Sequence, residues 1–231
     1  MKVAVINFSG NVGKSTVAKH LLLPRIKNAE LIAVESINSD EGDSEVIRGK
    51  QFGQLQEQLF EIDNAVIDVG ASNVEDFIKL MQQYRGSHED FDLFVVPAVR
   101  EGKQIKDTIA TIEALAGMGI PSKKIKVVFN KLESDETFED AFWPLISYHS
   151  DAKSFTLREK AVIDYSELYQ KMRQFQTSIP ELLADTTDYK AKIREATTPE
   201  DKSRAAAMIS MRRLAGSAQE NLDAVFAAIT K

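Results

Sequence analysis

Val3–Ala4–Val5–Ile6–Asn7–Phe8–Ser9–Gly10–Asn11–Val12–Gly13–Lys14–Ser15–Thr16 is the stretch that decides how this chain folds. It opens on a continuous apolar run, the pattern of a strand covered on both faces. It closes on Gly-x-x-Gly-Lys-Ser-Thr and runs into residues Lys14–Leu23, which are helical in pattern and stop at Pro24. A glycine-rich turn between a buried strand and a helix gathers backbone N–H groups and the positive end of the helix at one point, which suits a phosphate. Gly10 and Gly13 let the backbone approach that phosphate, where a Cβ would obstruct it. Lys14 supplies a full charge to the β and γ phosphates of a nucleotide. Ser15 offers Mg²⁺ a hydroxyl, and Ser9, Asn11, Val12 and Thr16 complete the loop. The full Walker pattern has a glycine five residues before the Gly–Lys pair; Phe8 stands there. An ordinary strand–turn–helix connection is the alternative.

Outward from this stretch, apolar runs recur at Leu31–Val34, Ala65–Val69, Leu93–Pro97 and Ile125–Asn130. Helical patterns fill the gaps over Ser44–Phe60, Val74–Tyr84 and Lys103–Met118, the last ending before Gly119 and Pro121. Alternation of this length means right-handed crossovers and a mostly parallel sheet flanked by helices, an α/β fold of three layers. Phe155–Leu157 is a candidate sixth strand. Phe138–Tyr148, with Trp143 and Pro144, reads as an aromatic segment packed on the sheet or, alternatively, as a partner-docking surface. Helices are expected over Tyr165–Phe175, Thr187–Ala196 and Pro199 to about Ile229, with Thr198 as N-cap and Pro199 at the first helical position. The expected organisation is a nucleotide-binding domain over residues 1–180, with a helical C-terminal extension, 181–231, packed on it.

Two further strand ends carry chemistry. Ala65–Val66–Ile67–Asp68–Val69–Gly70 places a carboxylate at the C-terminal end of a buried strand, where parallel sheets bind ligands. Asp68 there can hold a Mg²⁺ water and Gly70 can give a backbone N–H to a γ-phosphate; capping of the next helix is the alternative for Asp68. Val128–Phe129–Asn130–Lys131–Leu132–Glu133 ends on an amide able to read a base edge. Asn-Lys-x-Asp would indicate guanine, whereas Glu133 is one methylene longer, so adenine is expected. A turn asparagine is the alternative.

Composition narrows the classes. Cysteine is absent from the 231 residues, so disulfides and thiolate chemistry are excluded. His20, His88 and His149 lack metal-ligand spacing. No apolar run reaches membrane-spanning length and the N-terminal stretch is too short for a signal peptide, so a cytoplasmic location is expected. The net charge of −6 sits in residues 1–115, with 12 basic against 18 acidic residues, while residues 116–231 hold 17 of each. Wrapping of DNA by the whole surface is thereby disfavoured. Direct contact with DNA would fall to Lys190–Ala191–Lys192–Ile193–Arg194 and Arg212–Arg213, with solvated helix faces as the alternative.

Taken in order, these elements resemble the ParA/MinD class of deviant Walker A ATPases. The phrases Ile6–Ser15, Leu31–Asn38, Ile67–Asn73 and Tyr84–Asp92 are most similar to the plasmid-stability StbB type. The resemblance covers about residues 1–180. It implies an ATP- and Mg²⁺-binding switch that pairs as a homodimer on ATP and serves plasmid partition or positioning with a DNA-binding or adaptor protein. It assigns Lys14 to the phosphates, Ser15 and Asp68 to Mg²⁺, and Asn130 to adenine. Two departures stand out. The class has a lysine, reaching across the dimer, where this chain has Ser9. It also has a water-orienting Asp where this chain has Ile37, in Glu35–Ser36–Ile37. Glu35 and Asp40, or Glu41, are then the candidate catalytic acids, or else loop charges facing solvent. Slow hydrolysis is expected either way. The rival readings are a phosphotransferase acting on a small metabolite and a nucleotide-dependent scaffold that never turns over.

Overall fold

In the computed structural model, residues 1–34 and 44–231 are described, with only the backbone of 44–50. Among them six parallel strands, β1 (Lys2–Val5), β2 (Glu30–Val34), β3 (Ala65–Val69), β4 (Leu93–Ala98), β5 (Ile125–Leu132) and β6 (Val162–Asp164), form one sheet in the order β2-β3-β1-β4-β5-β6. Continuous apolar runs make β1, β3, β4 and β5 because both faces of the sheet are covered. Val3 and Val5 enter one core and Ala4 and Ile6 the other.

The sheet's first face is covered by α2 (Ser44–Glu61), α3 (Val74–Gln83), α4 (Gly102–Gly117) and α5 (Phe138–Ala152). The second is covered by α1 (Lys14–Thr16), which runs on as a π-helical segment Val17–Leu22, and by α6 (Leu168–Phe175), α7 (Ile179–Ala184) and α9 (Pro199–Thr230), with α8 (Tyr189–Glu195) against α9. Met211, Ala215, Ala218, Leu222, Val225 and Ile229 recur every three or four residues, so one stripe of α9 meets the same core as β1. Thr198 caps α9 as expected, its hydroxyl accepting from the Asp201 N–H at 3.1 Å.

The expected sixth strand needs correction. Thr156 makes only an isolated bridge to Lys126, and Phe155 packs against Tyr148 and His149. The strand that pairs with β5 is Val162–Asp164, started when the Ala161 carbonyl accepts from Phe129 N–H at 2.8 Å. The aromatic segment is helix α5, bent at Phe142 (φ −120°, ψ 17°) next to the internal Pro144. Phe138 and Phe142 each lie 4.7 Å from the Phe129 ring, whereas Trp143 points outward, 64% exposed.

Candidate nucleotide site

The loop after β1 is fastened before it reaches its glycines. Asn7 is fully buried; its amide donates to Pro97 O and to Thr108 Oγ1, both at 2.8 Å, while its Oδ1 accepts from Ser9 N–H at 2.7 Å. Phe8 N–H donates to Thr111 Oγ1 at 3.0 Å. Thr108 and Thr111, on the inner face of α4, donate in turn to Gln104 O and Asp107 O. Each group in this buried network has a partner, which is the condition under which such networks rigidify a site. Sequence reasoning missed it, although two threonines three residues apart in the apolar stripe of Ile105, Ile112 and Leu115 were the visible signal.

Beyond Ser9, Gly10 and Asn11 are exposed, Asn11 with φ 61°, and Val12 is buried. Gly13 ends the loop at φ 93°, ψ 28°, and its carbonyl accepts from Val17 N–H at 2.9 Å. Two independent reasons require glycine here. The positive φ disfavours an L side chain, and a Cβ would stand 2.1 Å from the Asn130 amide nitrogen. At Gly10 a Cβ would meet no protein atom within 4 Å.

Lys14 is only 8% exposed, and its ammonium donates to Ser9 O at 2.7 Å and Asn7 O at 3.2 Å. Burial lowers its pKa below the ordinary lysine value and the nearby Asp68 carboxylate pulls it back. An ammonium has three donors, so one remains beyond these two carbonyls. Ser15 is exposed and Thr16 half-buried at the start of α1. Asp68 stands on β3 opposite Val5, and neither the 3₁₀ turn Ala71–Asn73 nor α3 has a side-chain cap, so Asp68 caps no helix. Gly70 requires a correction: its N–H donates to Val34 O at 2.9 Å, extending the β3–β2 ladder, and is not a free donor for a phosphate. Asn73 also donates to Val34 O, at 3.2 Å.

On the other side, Asn130 is buried and its amide donates to Val12 O at 2.9 Å, while Lys131, at φ 63°, donates to Asn11 O at 3.0 Å. The Asn–Lys pair therefore holds the loop after β1 through Val12 and Asn11; one amide hydrogen and Oδ1 of Asn130 remain. Arg100 lies beside Glu133 and Glu136 at the end of β5. Among the described residues no group of three His, Cys, Asp or Glu could hold a metal ion. The exposed Ser15 hydroxyl at the head of α1 and the Asp68 carboxylate beside Lys14 are oxygen donors of the kind Mg²⁺ takes. Glu35, Ile37, Asp40 and Glu41 lie outside the described residues.

A strand–loop–lysine–helix unit on the central strand of a 2-3-1-4-5-6 parallel sheet defines a P-loop NTPase fold. No protein-family model matches the chain, and no curated protein matches it in sequence. Among solved structures it is similar to Cyanothece apo McdA, at 15% identity and TM-score 0.52, over 91% of this chain and 98% of that one. It is also similar to a chain of the MinC:MinD cell division protein complex of Aquifex aeolicus, at 12% identity and TM-score 0.53, over 94% and 96%. These likenesses show the shared fold. No helix among the described residues is long and apolar enough to cross a membrane.

Proposed function

We propose that this chain is an ATP-dependent switch of the ParA/MinD kind, which binds ATP and Mg²⁺ on residues 9–16 and hydrolyses ATP slowly. The observation that carries the reading is the fastened loop itself: Asn7, Thr108, Thr111 and Asn130 hold Ser9–Gly13 in place, with Lys14 and Asp68 beside it. Pre-organised N–H groups and a buried cation are what a polyphosphate requires. Mg²⁺, held by Ser15 and Asp68, would neutralise phosphate charge. Asn130 would meet the adenine with its remaining amide hydrogen and Oδ1.

The output of such a switch is a change of partner. The likeness to a chain from a complex of two different proteins supports an adaptor partner. The resemblance in the loop phrases supports plasmid stability or positioning as the setting and ATP-dependent pairing of two copies as the form. Ser9 in place of a lysine favours slow turnover, and it also favours the non-hydrolysing scaffold as the second reading.

Calorimetric titration with Mg-ATP, followed by single-turnover hydrolysis, tests both. Lys14→Ala should weaken ATP by about 2–4 kcal/mol, as for loss of a desolvated charge partner. Equal ATP affinity in the variant would overturn the assignment. Turnover near the roughly 1–100 s⁻¹ of kinases would overturn the slow switch, and none at all would favour the scaffold.

A further inference from the structure

We propose that Arg100 sets the purine preference of the nucleotide site, by holding the Glu133 carboxylate away from the base; this rests on the nucleotide reading above. Asn130–Lys131–Leu132–Glu133 has an acid three residues after the amide, the spacing that serves guanine. Guanine offers two donors on that edge, N1–H and the 2-amino group, and a carboxylate accepts both. Adenine presents an acceptor at N1 and no donor at C2, so a free carboxylate facing it meets a lone pair. Glu133, left free, would therefore favour GTP despite its extra methylene.

It is not free. Arg100 follows β4, which runs beside β5 with Ala98 opposite Phe129, so its side chain reaches the turn that leaves β5. Its Nη2 lies 4.0 Å from Glu133 Oε1, and its Nη1 donates to Glu136 Oε2. Glu136 closes the turn around the guanidinium: its Oε2 accepts from Glu133 N–H at 3.4 Å and its own N–H donates to Glu133 O at 3.2 Å. One cation thus answers two carboxylates. The three side chains are 30–38% exposed. At that exposure an ion pair does little for stability; what it does here is turn the Glu133 carboxylate toward the guanidinium.

Removing the cation changes the local charge felt by any nucleotide, so the informative quantity is the ratio of ATP to GTP affinity. Calorimetric titration of the full chain with Mg-ATP and Mg-GTP should show preference for ATP. Arg100→Gln should shift the ratio toward GTP by roughly tenfold, the discrimination expected of one well-made bidentate contact. Adding Glu133→Gln should reverse that shift. Arg100→Lys, a point charge that cannot bridge both acids, should shift the ratio in the same direction by less, and it serves if the glutamine variant melts early. An unshifted ratio in folded, ATP-binding Arg100 variants overturns this inference alone. No binding of either nucleotide by the unaltered protein overturns the site together with it.

Discussion

Gly13 and Asn130 are separated by 117 residues in the chain and by less than a side chain in space. The sequence pattern asked for glycine so that phosphate could come close; the fold adds that Asn130 comes close as well. Gly13→Ala should therefore fail on two counts. The left-handed φ costs about 1–2 kcal/mol, and the clash with the Asn130 amide adds to it. Asn130→Ala in the same chain should relieve the clash but not the backbone strain, so a double-mutant cycle on urea stability should give a coupling of about 1 kcal/mol. Strict additivity would show that the two residues do not meet. Thr111→Val is a quieter test of the same loop. It leaves Phe8 N–H without its acceptor and should cost about 1–2 kcal/mol in urea melts. The positions of Lys14 and Ser15 at the head of α1 and of Asp68 on β3 were legible in the sequence, because each is local to a strand end. The roles of Asn7, Thr108 and Thr111 were not, since each depends on which helix lies against which strand.

Elements were legible where periodicity was long and unmixed. The runs of β1 to β5 and the stripes of α3, α4 and α9 announced themselves. β6 and α5 did not, for a shared reason. Val162–Asp164 is too short to show a period, and Pro144 with Trp143 interrupts the α5 stripe, although Thr137 caps that helix through Asp140 N–H at 3.2 Å. The polar tie that Arg25 adds to the apolar packing between the π-helical segment and α9 was also invisible, because it depends on which helix lies against which. Arg25 donates to His20 O at 2.8 Å and Leu21 O at 3.1 Å, where the π-helical segment ends. It also reaches α9, donating to Asp223 at 2.7 Å and to Gln219 O at 3.4 Å. Arg25→Ala should cost about 2–3 kcal/mol in chemical denaturation, since it leaves carbonyl groups unpaired as well as removing an ion pair. Arg25→Lys should recover only part, because a single ammonium cannot serve both helices. Full stability in Arg25→Ala would show that apolar burial alone holds α9 in place.

For the molecule as a whole, the second core is where acid should act first. His20 projects from the π-helical segment against Tyr169 of α6, ring centroids 5.7 Å apart. Burial chiefly, helped by the charges of Lys19 and Arg173, lowers its pKa from 6.5 to about 4. The sign follows from which state binds the proton. Above pH 6.5 the imidazole is neutral in both states and the fold keeps its full stability. As pH falls from 6.5 to about 4 the unfolded chain takes up a proton that the folded chain refuses, so stability declines across that window. The carboxylates are displaced the other way in timing. Asp185, held by Thr187 and Tyr189, stays ionised down to about 2, and Glu181 and Asp188 are lowered too, so their contribution is lost only at lower pH. Asp164, raised by burial, becomes protonated earlier in the folded state and opposes the loss slightly. Between pH 7 and pH 5 His20 should therefore dominate, with a loss of about 1–2 kcal/mol after allowing for partial exposure. His20→Phe keeps a ring against Tyr169 and removes the titration. Urea midpoints at the two pH values should differ clearly in the unaltered chain and nearly coincide in the variant. Arg173→Gln, which removes one of the repelling charges, should give an intermediate slope. An undiminished slope in His20→Phe would place the acid sensitivity elsewhere and leave His20 as a ring that merely fills space between the π-helical segment and α6.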